Sequence, residues 1–267
     1  MTVGAVYFEE KLIYFPSRPF DVTPDQLALR FENLDLVAED GTHIHGWFLP
    51  APPRTGTAGS NPDAVGPITV LVCHGNAGNV SHRLDRVLLM HDRLSTDVLL
   101  FDYRGFGRSS GRPEEQGTYR DARAAYRYLT HDLGRDPGRI ILFGESLGAA
   151  VALQLATEVA AAGLVLEAPF TSIPDMAKKV YPFLPLAGLV RTRYDNLSKI
   201  SGLAMPVLIF HGTKDDVVPF DHGERLFAAA REPKTFFPVE GAVHNDTYLK
   251  GGGPYWMAWK RFLTEAP

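Results

Sequence analysis

Apolar residues gather along the chain into five short runs, ITVLVC (68–73), DVLLFDY (97–103), RIILFG (139–144), AGLVLEA (162–168) and PVLIFHG (206–212). The runs are nearly continuous rather than alternating, which is the pattern of strands covered on both faces in a parallel sheet. Between them, apolar positions return at helical spacing over 79–94, over 114–133 (Ala122, Ala125, Tyr126, Leu129) and over 146–160. The last of these is almost entirely small or apolar and is predicted to be a buried helix. Strands alternating with helices of this length predict an α/β sheet with right-handed crossovers. Upstream, LDLVAED (34–40) and THIHGWFLP (42–50) alternate more clearly and flank a turn at Asp40 and Gly41, so they are expected as an antiparallel hairpin at one sheet edge. TFFPV (235–239) supplies a last strand. The expected fold is α/β, a mostly parallel central sheet with antiparallel N-terminal strands and helices on both faces.

A length of 267 residues with 45% hydrophobic and 22% charged positions suits one domain spanning 1–267. The stretch 51–67, rich in Pro, Gly, Ala and Thr, reads as a surface connection between strands. A formal charge of −4 and the lack of any Lys/Arg cluster leave no electrostatic footprint for nucleic acid or a membrane surface, so the expected partner is a small molecule. The only cysteine, Cys73, excludes an internal disulfide and reads as a core thiol within ITVLVC. The first twenty residues carry Glu9, Glu10 and Lys11 and then Pro16 and Pro19. They fit neither a spanning helix of ~20 apolar residues nor a signal peptide with a basic start, so a soluble, cytoplasmic chain without a membrane span is expected. The aromatic residues Tyr7, Phe8, Tyr14 and Phe15 are expected to pack on the core. No metal-ligand cluster or cofactor motif is present, and neither a metal nor a cofactor is expected.

The candidate chemistry begins at Gly144-Glu145-Ser146-Leu147-Gly148. With 25 glycines in the chain, G-x-S-x-G alone is a modest signal. Its setting is more specific: it follows the strand RIILFG directly and opens the apolar helix SLGAAVALQLATEVA, the strand–turn–helix context in which a serine nucleophile is presented. The flanking glycines leave room for close backbone approach, and the helix N-terminus favours a developing anion. Ser146 could alternatively be an ordinary helix cap.

A serine hydroxyl needs a base, and the base needs an acid that fixes its tautomer. Of the nine histidines, His74 and His211 sit at strand ends before glycine turns, and His43 and His45 sit in the hairpin. His82, His91, His131 and His222 belong to polar helical or loop stretches. His244, in the loop EGAVHNDTY after the last strand, stands where the base belongs in the order Ser, acid, His. The acid is expected after PVLIFHG, where Asp215 and Asp216 are adjacent; consecutive side chains cannot both face one histidine, and Asp215 is preferred. Glu167, at the end of AGLVLEA, reads as a hydrogen-bonded loop anchor. Acyl chemistry also needs donors for the oxyanion, expected as the backbone N–H groups of Leu147 and of Asn76, the latter in the glycine loop HGNAGN. That loop lacks the Lys and Ser/Thr of a phosphate-binding loop.

Together HGNAGN (74–79), DYRGFGRSSG (102–111), GESLG (144–148), EAPFTSI (167–173), HGTKDDVVP (211–219) and HNDTY (244–248) resemble the α/β-hydrolase superfamily over roughly residues 6–264. The chain is most similar to the bud-emergence-protein-like branch, which includes α/β-hydrolase-domain proteins often tethered to membranes. The resemblance implies an α/β-hydrolase fold and a serine hydrolase with Ser146 as nucleophile, His244 as base and, four positions after His211, Asp215 as acid. It further implies structural roles for Asp102, Arg104, Gly105 and Gly107 in the turn after a core strand. Unlike the tethered members, this chain is expected to have no N-terminal spanning segment.

In hydrolases of this type the segment before the acid's strand often carries a lid; here Thr171–Met205 is expected as a small or minimal cap. Tyr181, Phe183, Leu184 and Leu186 are its candidate pocket residues. A cap this short suits short- to medium-chain acyl esters. A thioesterase of the depalmitoylase kind or a peptidase would use the same triad, and a non-catalytic binding protein on the same fold is the alternative of a different class.

Overall fold

A computed structural model describes residues 9–52, 67–180 and 190–266. The apolar runs become the inner strands of an eight-stranded sheet. In chain order its strands are β1 (Glu32–Val37), β2 (His43–Leu49), β3 (Thr69–Cys73), β4 (Asp97–Phe101), β5 (Ile140–Glu145), β6 (Gly163–Glu167), β7 (Val207–Gly212) and β8 (Lys234–Val239). Their spatial order is β1-β2-β4-β3-β5-β6-β7-β8. The β1–β2 and β2–β4 pairs are antiparallel and the rest parallel, as the alternating hairpin and the continuous runs predict.

The runs are continuous because both faces are covered. Leu71 and Cys73 of β3, Leu99 and Phe101 of β4, and Ile140 and Leu142 of β5 enter one apolar cluster with the helices α2 (Glu115–Arg127) and α3 (Leu147–Ala156). The intervening Val70, Val72, Val98, Leu100, Ile141 and Phe143 enter the other. That second cluster takes Leu84, Val87 and Met90 of α1 (Leu84–Leu94) and Tyr255, Trp256, Trp259, Phe262 and Leu263 of the C-terminal helix, Gly252–Glu265. Each fully buried aliphatic or aromatic side chain contributes about 1.5–3 kcal/mol, and the buried polar residues of these strands sit at or next to strand ends, Thr69 in β3, Asp97 in β4, Glu167 in β6 and His211 in β7.

The helices are shorter than their periodicity suggests. The 79–94 segment opens with a 3₁₀ turn, Val80–Arg83, because the Asn79 carboxamide caps it by accepting the Ser81 N–H at 2.9 Å. The 114–133 segment leaves the α-helix at Arg127 and ends in a π-type turn, Tyr128–Asp132. The 146–160 segment is helical only to Ala156. The connection 51–67 lies mostly outside the described residues.

What matters for chemistry is where strand order reverses. From β3 the chain moves to β4 on one side, and β5 then lies against β3 on the other, so a crevice opens at the carboxyl ends of β3 and β5. The register aligns these ends: Cys73 with Gly144, Glu145 with Glu167, Glu167 with Phe210, and Gly212 with Val239. The loops after β3, β5, β6, β7 and β8 therefore leave the sheet side by side.

The N-terminal segment crosses this edge. The Phe15 N–H donates to the Asn76 carbonyl at 2.8 Å, and Phe15 pairs with Ala77 in a two-residue parallel bridge. Tyr14 packs in the core, its hydroxyl 2.9 Å from that of Tyr194. Phe15 does not, being 54% exposed, because successive side chains of an extended segment point to opposite sides. Tyr7 and Phe8 lie outside the described residues. Among the described residues no helix is long and apolar enough to cross a membrane.

Candidate active site

At the end of β5 the backbone turns sharply. Ser146 has φ 52° and ψ −115°, a conformation a residue with a Cβ adopts only under constraint. The constraint is local. The Ser146 N–H donates to the Glu167 carbonyl at 2.9 Å, and the Ser146 carbonyl accepts the Ala149 N–H at 3.0 Å. A Cβ on Gly144 would stand 2.2 Å from the Gly148 carbonyl oxygen, and one on Gly148 would stand 2.0 Å from that of Cys73. Only glycines let strand, turn and helix approach this closely, and the approach projects the Ser146 hydroxyl into the crevice.

The hydroxyl meets a histidine there. Ser146 Oγ lies 3.0 Å from His244 Nε2, and His244 Nδ1 lies 2.8 Å from Asp215 Oδ2. A carboxylate only accepts, so Nδ1 carries the proton and donates to Asp215, leaving Nε2 to accept from the serine. Asp215 is held from two sides. Its Oδ1 accepts the N–H groups of Val217 and Val218 at 2.9 and 2.8 Å. Its Oδ2 lies 3.4 Å from Nε2 of buried His211, which donates to the Val218 carbonyl at 3.0 Å. Burial alone would raise the Asp215 carboxyl, but the hydrogen bonds from His211 and His244 outweigh it and hold the group well below the ordinary carboxylate value. Asp216 is exposed and makes no bond to His244.

The two residues whose backbone N–H groups are expected to face an oxyanion, Asn76 and Leu147, line the same cavity as Ser146. Leu147 opens α3, so its N–H has no acceptor within the helix. In the loop after β3 the Gly75 N–H is committed to Glu145 Oε1 at 3.0 Å. The neighbouring Asn76 is fixed by other atoms: its side-chain Nδ2 donates to the Ile13 carbonyl at 2.8 Å, and its carbonyl accepts from Phe15. Among the described residues neither the Asn76 nor the Leu147 N–H is spent in a loop or turn hydrogen bond.

Ser146 stands between two cavities. One, of about 380 Å³, is apolar and lined by Leu147, Ile13 and Phe15 together with Phe170, Ile173 and Met176. The other, of about 190 Å³, is the more polar of the two, lined by Gly75, Arg83, Glu145, Glu167, His244 and Asn245 together with Ala77, Ala168 and Val217. Tyr181, Phe183, Leu184 and Leu186, the expected pocket residues, lie outside the described residues. From the expected cap, the helix Ile173–Val180 supplies Ile173 and Met176 to the apolar wall. The N-terminal contribution of Ile13 and Phe15 carries no signal in the sequence, since a short mixed segment far from the motifs shows no periodicity that points toward them.

Beneath the polar cavity lies a charged cluster that the motifs did not reveal. The Arg83 guanidinium pairs with Glu145, Arg86 Nη2 lies 3.3 Å from Glu145, and Arg86 Nη1 lies 2.5 Å from Glu167. Glu167 also accepts the hydroxyls of Thr247 and Tyr255, each at 2.5 Å. Spaced three apart, Arg83 and Arg86 reach one side of their segment, but partners 59 to 81 positions away leave no local trace in sequence. Burial would raise Glu145, yet Arg83 and Arg86 outweigh it and bring its carboxyl down to about 2. With a folded value below the ordinary 4.5, its contribution to stability is complete above that pH and lost as pH falls toward 2. Glu145→Gln should therefore flatten the acid side of the stability curve between pH ~5 and 2, by up to a few kcal/mol, in denaturant titrations across that range. An unchanged acid slope would refute this account.

The remaining sequence candidates take structural places. Asp102 accepts the Val80 N–H at 2.9 Å and lies 3.3 Å from His45 Nδ1. Arg104 pairs with Asp121 and Asp40, each at 2.8 Å, across a turn that contains Gly105 and Gly107. Cys73 is buried, and burial pushes its thiol up to about 12, far from reactivity. Among the described residues no group of three or more His, Cys, Asp or Glu side chains is placed to hold a metal ion.

Comparison with known proteins follows the same lines. Residues 70–265 match the profile of the Alpha/beta hydrolase family. The uncharacterized Mycobacterium tuberculosis protein Rv2307c is 44% identical over 259 residues, covering 96% of this chain and 88% of its own. The Arabidopsis thaliana alpha/beta hydrolase domain-containing protein WAV2 is 37% identical, covering 97% of this chain and 88% of its own. Among solved structures, the Pyrococcus furiosus esterase Pf2001 superposes with a TM-score of 0.75 at 19% identity, over 94% of this chain and 99% of its own. An alpha-beta hydrolase from Vibrio vulnificus superposes with a TM-score of 0.77 at 21% identity, over 98% and 94%.

Proposed function

Since this chain belongs to the alpha/beta hydrolase family, we propose that it is a serine esterase that cleaves short- to medium-chain carboxylic esters through an acyl-enzyme on Ser146. The observation that carries this reading is the unbroken chain Ser146 Oγ, His244 Nε2 and Nδ1, Asp215 Oδ2, with separations of 3.0 and 2.8 Å.

In this mechanism the Ser146 oxygen attacks the ester carbonyl carbon while His244 Nε2 takes the hydroxyl proton. The carbonyl oxygen becomes an oxyanion that accepts from the N–H groups of Asn76 and Leu147; a donor of this kind is worth about 10²–10³ in turnover. Asp215 stabilises the imidazolium without taking a proton from it. As the intermediate collapses, the carbon–oxygen bond to the alcohol breaks and the alcohol leaves with the proton from His244. A water then repeats the sequence on the acyl-enzyme, giving the carboxylic acid and restoring Ser146. The positive backbone angle of Ser146 is compatible with this role, since strain of this kind gathers where a side chain must be presented in one direction.

The apolar cavity of about 380 Å³ is suited to an acyl chain of limited length. A fluorophosphonate probe should label the purified protein, with the adduct on the peptide containing Ser146 by mass spectrometry. Rates on p-nitrophenyl esters of rising chain length should peak at or below medium chains. Absence of labelling would refute the nucleophile, and a preference for acyl chains beyond about C12 would refute the size assignment.

A further inference from the structure

The two cavities at Ser146 differ in one respect that bears on substrate. His244 lines the polar cavity and does not line the apolar one. An ester straddling Ser146 must place its leaving oxygen where His244 Nε2 can protonate it. The alcohol half therefore departs on the polar side, and the acyl half occupies the side walled by Leu147, Phe170, Ile173 and Met176.

The polar side has a particular electrostatic character. Its two guanidinium groups face two carboxylates: Arg83 pairs with Glu145, and Arg86 lies between Glu145 and Glu167. The charges cancel, so the cavity has no excess of either sign to attract an ionic headgroup. It is nonetheless rich in hydrogen-bonding groups. Arg83 spends its terminal nitrogens on the carbonyls of Ala77 at 3.0 Å and His82 at 3.3 Å, which leaves guanidinium N–H groups over. Exposed Asn245, adjacent to His244, has no hydrogen bond to another described residue and offers both a donor and an acceptor. A cavity whose paired charges cancel and that keeps guanidinium N–H groups and the Asn245 carboxamide matches hydroxyl groups, which both donate and accept.

We propose that the cavity bounded by Gly75, Arg83, Glu145 and Asn245 is a leaving-group subsite selecting an uncharged, polyhydroxylated alcohol carried on an apolar acyl chain. The assignment rests on the esterase reading of Ser146 and adds to it the chemistry of the alcohol.

The test uses the full chain and three esters with one acyl group: 1-hexanoylglycerol, propyl hexanoate and 1-hexanoylglycerol 3-phosphate. Each kcat/KM is divided by the ester's hydroxide-catalysed rate, which removes differences in leaving-group reactivity. The glyceryl ester should exceed the propyl ester by about tenfold or more, the return expected of a well-made hydrogen bond to a charged group, and should exceed the phosphorylated ester as well. In Asn245→Ala the glyceryl-to-propyl ratio should fall several-fold. Because Asn245 is exposed, that variant is suited to report on binding rather than folding, and Arg83→Met gives a second reading of the same ratio. Equal turnover of the glyceryl and propyl esters, faster turnover of the phosphorylated ester, or a ratio unmoved in both variants would each overturn the subsite while leaving the esterase intact. Failure to turn over any of the three, with no fluorophosphonate labelling, would overturn the esterase reading beneath it.

Discussion

Ser146→Ala should lower ester turnover by about 10⁴-fold or more, leaving only the background that binding and the oxyanion donors provide. The hydroxyl accounts for the whole effect, because the substitution disturbs little else. Ser146 is placed by its backbone, through its N–H on the Glu167 carbonyl and its own carbonyl on the Ala149 N–H, and alanine keeps both bonds. The unusual φ of 52° costs alanine no more than serine. The variant should therefore melt within a few degrees of the parent, since a surface-cavity hydroxyl is worth little to stability. Turnover retained in purified Ser146→Ala would place the chemistry elsewhere.

Asp215→Asn should cost about 10⁴-fold in kcat with little change in KM. The direction follows from the two sides of this carboxylate. The N–H groups of Val217 and Val218 both point at Oδ1 and require an acceptor, so the carboxamide oxygen takes that place. The NH₂ group is then driven to the Oδ2 position, 2.8 Å from His244 Nδ1, where it can only donate. His244 must accept at Nδ1 and carry its proton on Nε2, facing Ser146 with a donor where a base is needed. Circular dichroism should show a folded protein. An Asp215→Asn variant retaining more than a tenth of parental kcat, with loss on Asp216→Asn instead, would transfer the role to the neighbour.

Much of this arrangement is legible in the sequence, for physical reasons. Strands covered on both faces must be largely apolar, and the five runs show it. G-x-S-x-G carries its meaning in the residues around it, since a strand before and a buried helix after are what force Gly144 and Gly148 together. The choice between Asp215 and Asp216 is not open to the same reasoning, because adjacent carboxylates are chemically alike. In the structure the difference lies in the turn 215–218, whose N–H groups converge on Asp215. The walls of the crevice are less readable still. The apolar density of 181–186 draws attention to a cap, whereas Ile13 and Phe15 reach the site only because a two-residue bridge joins the N-terminal segment to the loop after β3. The Arg83, Arg86, Glu145 and Glu167 cluster is assembled by tertiary contact between distant positions, none of which shows an unusual local pattern.

Glu167 joins parts of the molecule that act together in the proposed reaction. Its carbonyl accepts the Ser146 N–H, and its carboxylate accepts Thr247 and Tyr255, three and eleven positions after His244 or nearby in the C-terminal helix. The turn that presents the hydroxyl and the loop that presents the imidazole are thus tied to a single buried residue of a central strand. Local breathing of one without the other would break a hydrogen bond to Glu167 in the buried interior, which raises the free energy of that opening. Ser146 and the His244 loop are accordingly expected to open together, through their shared hold on Glu167 in the central sheet.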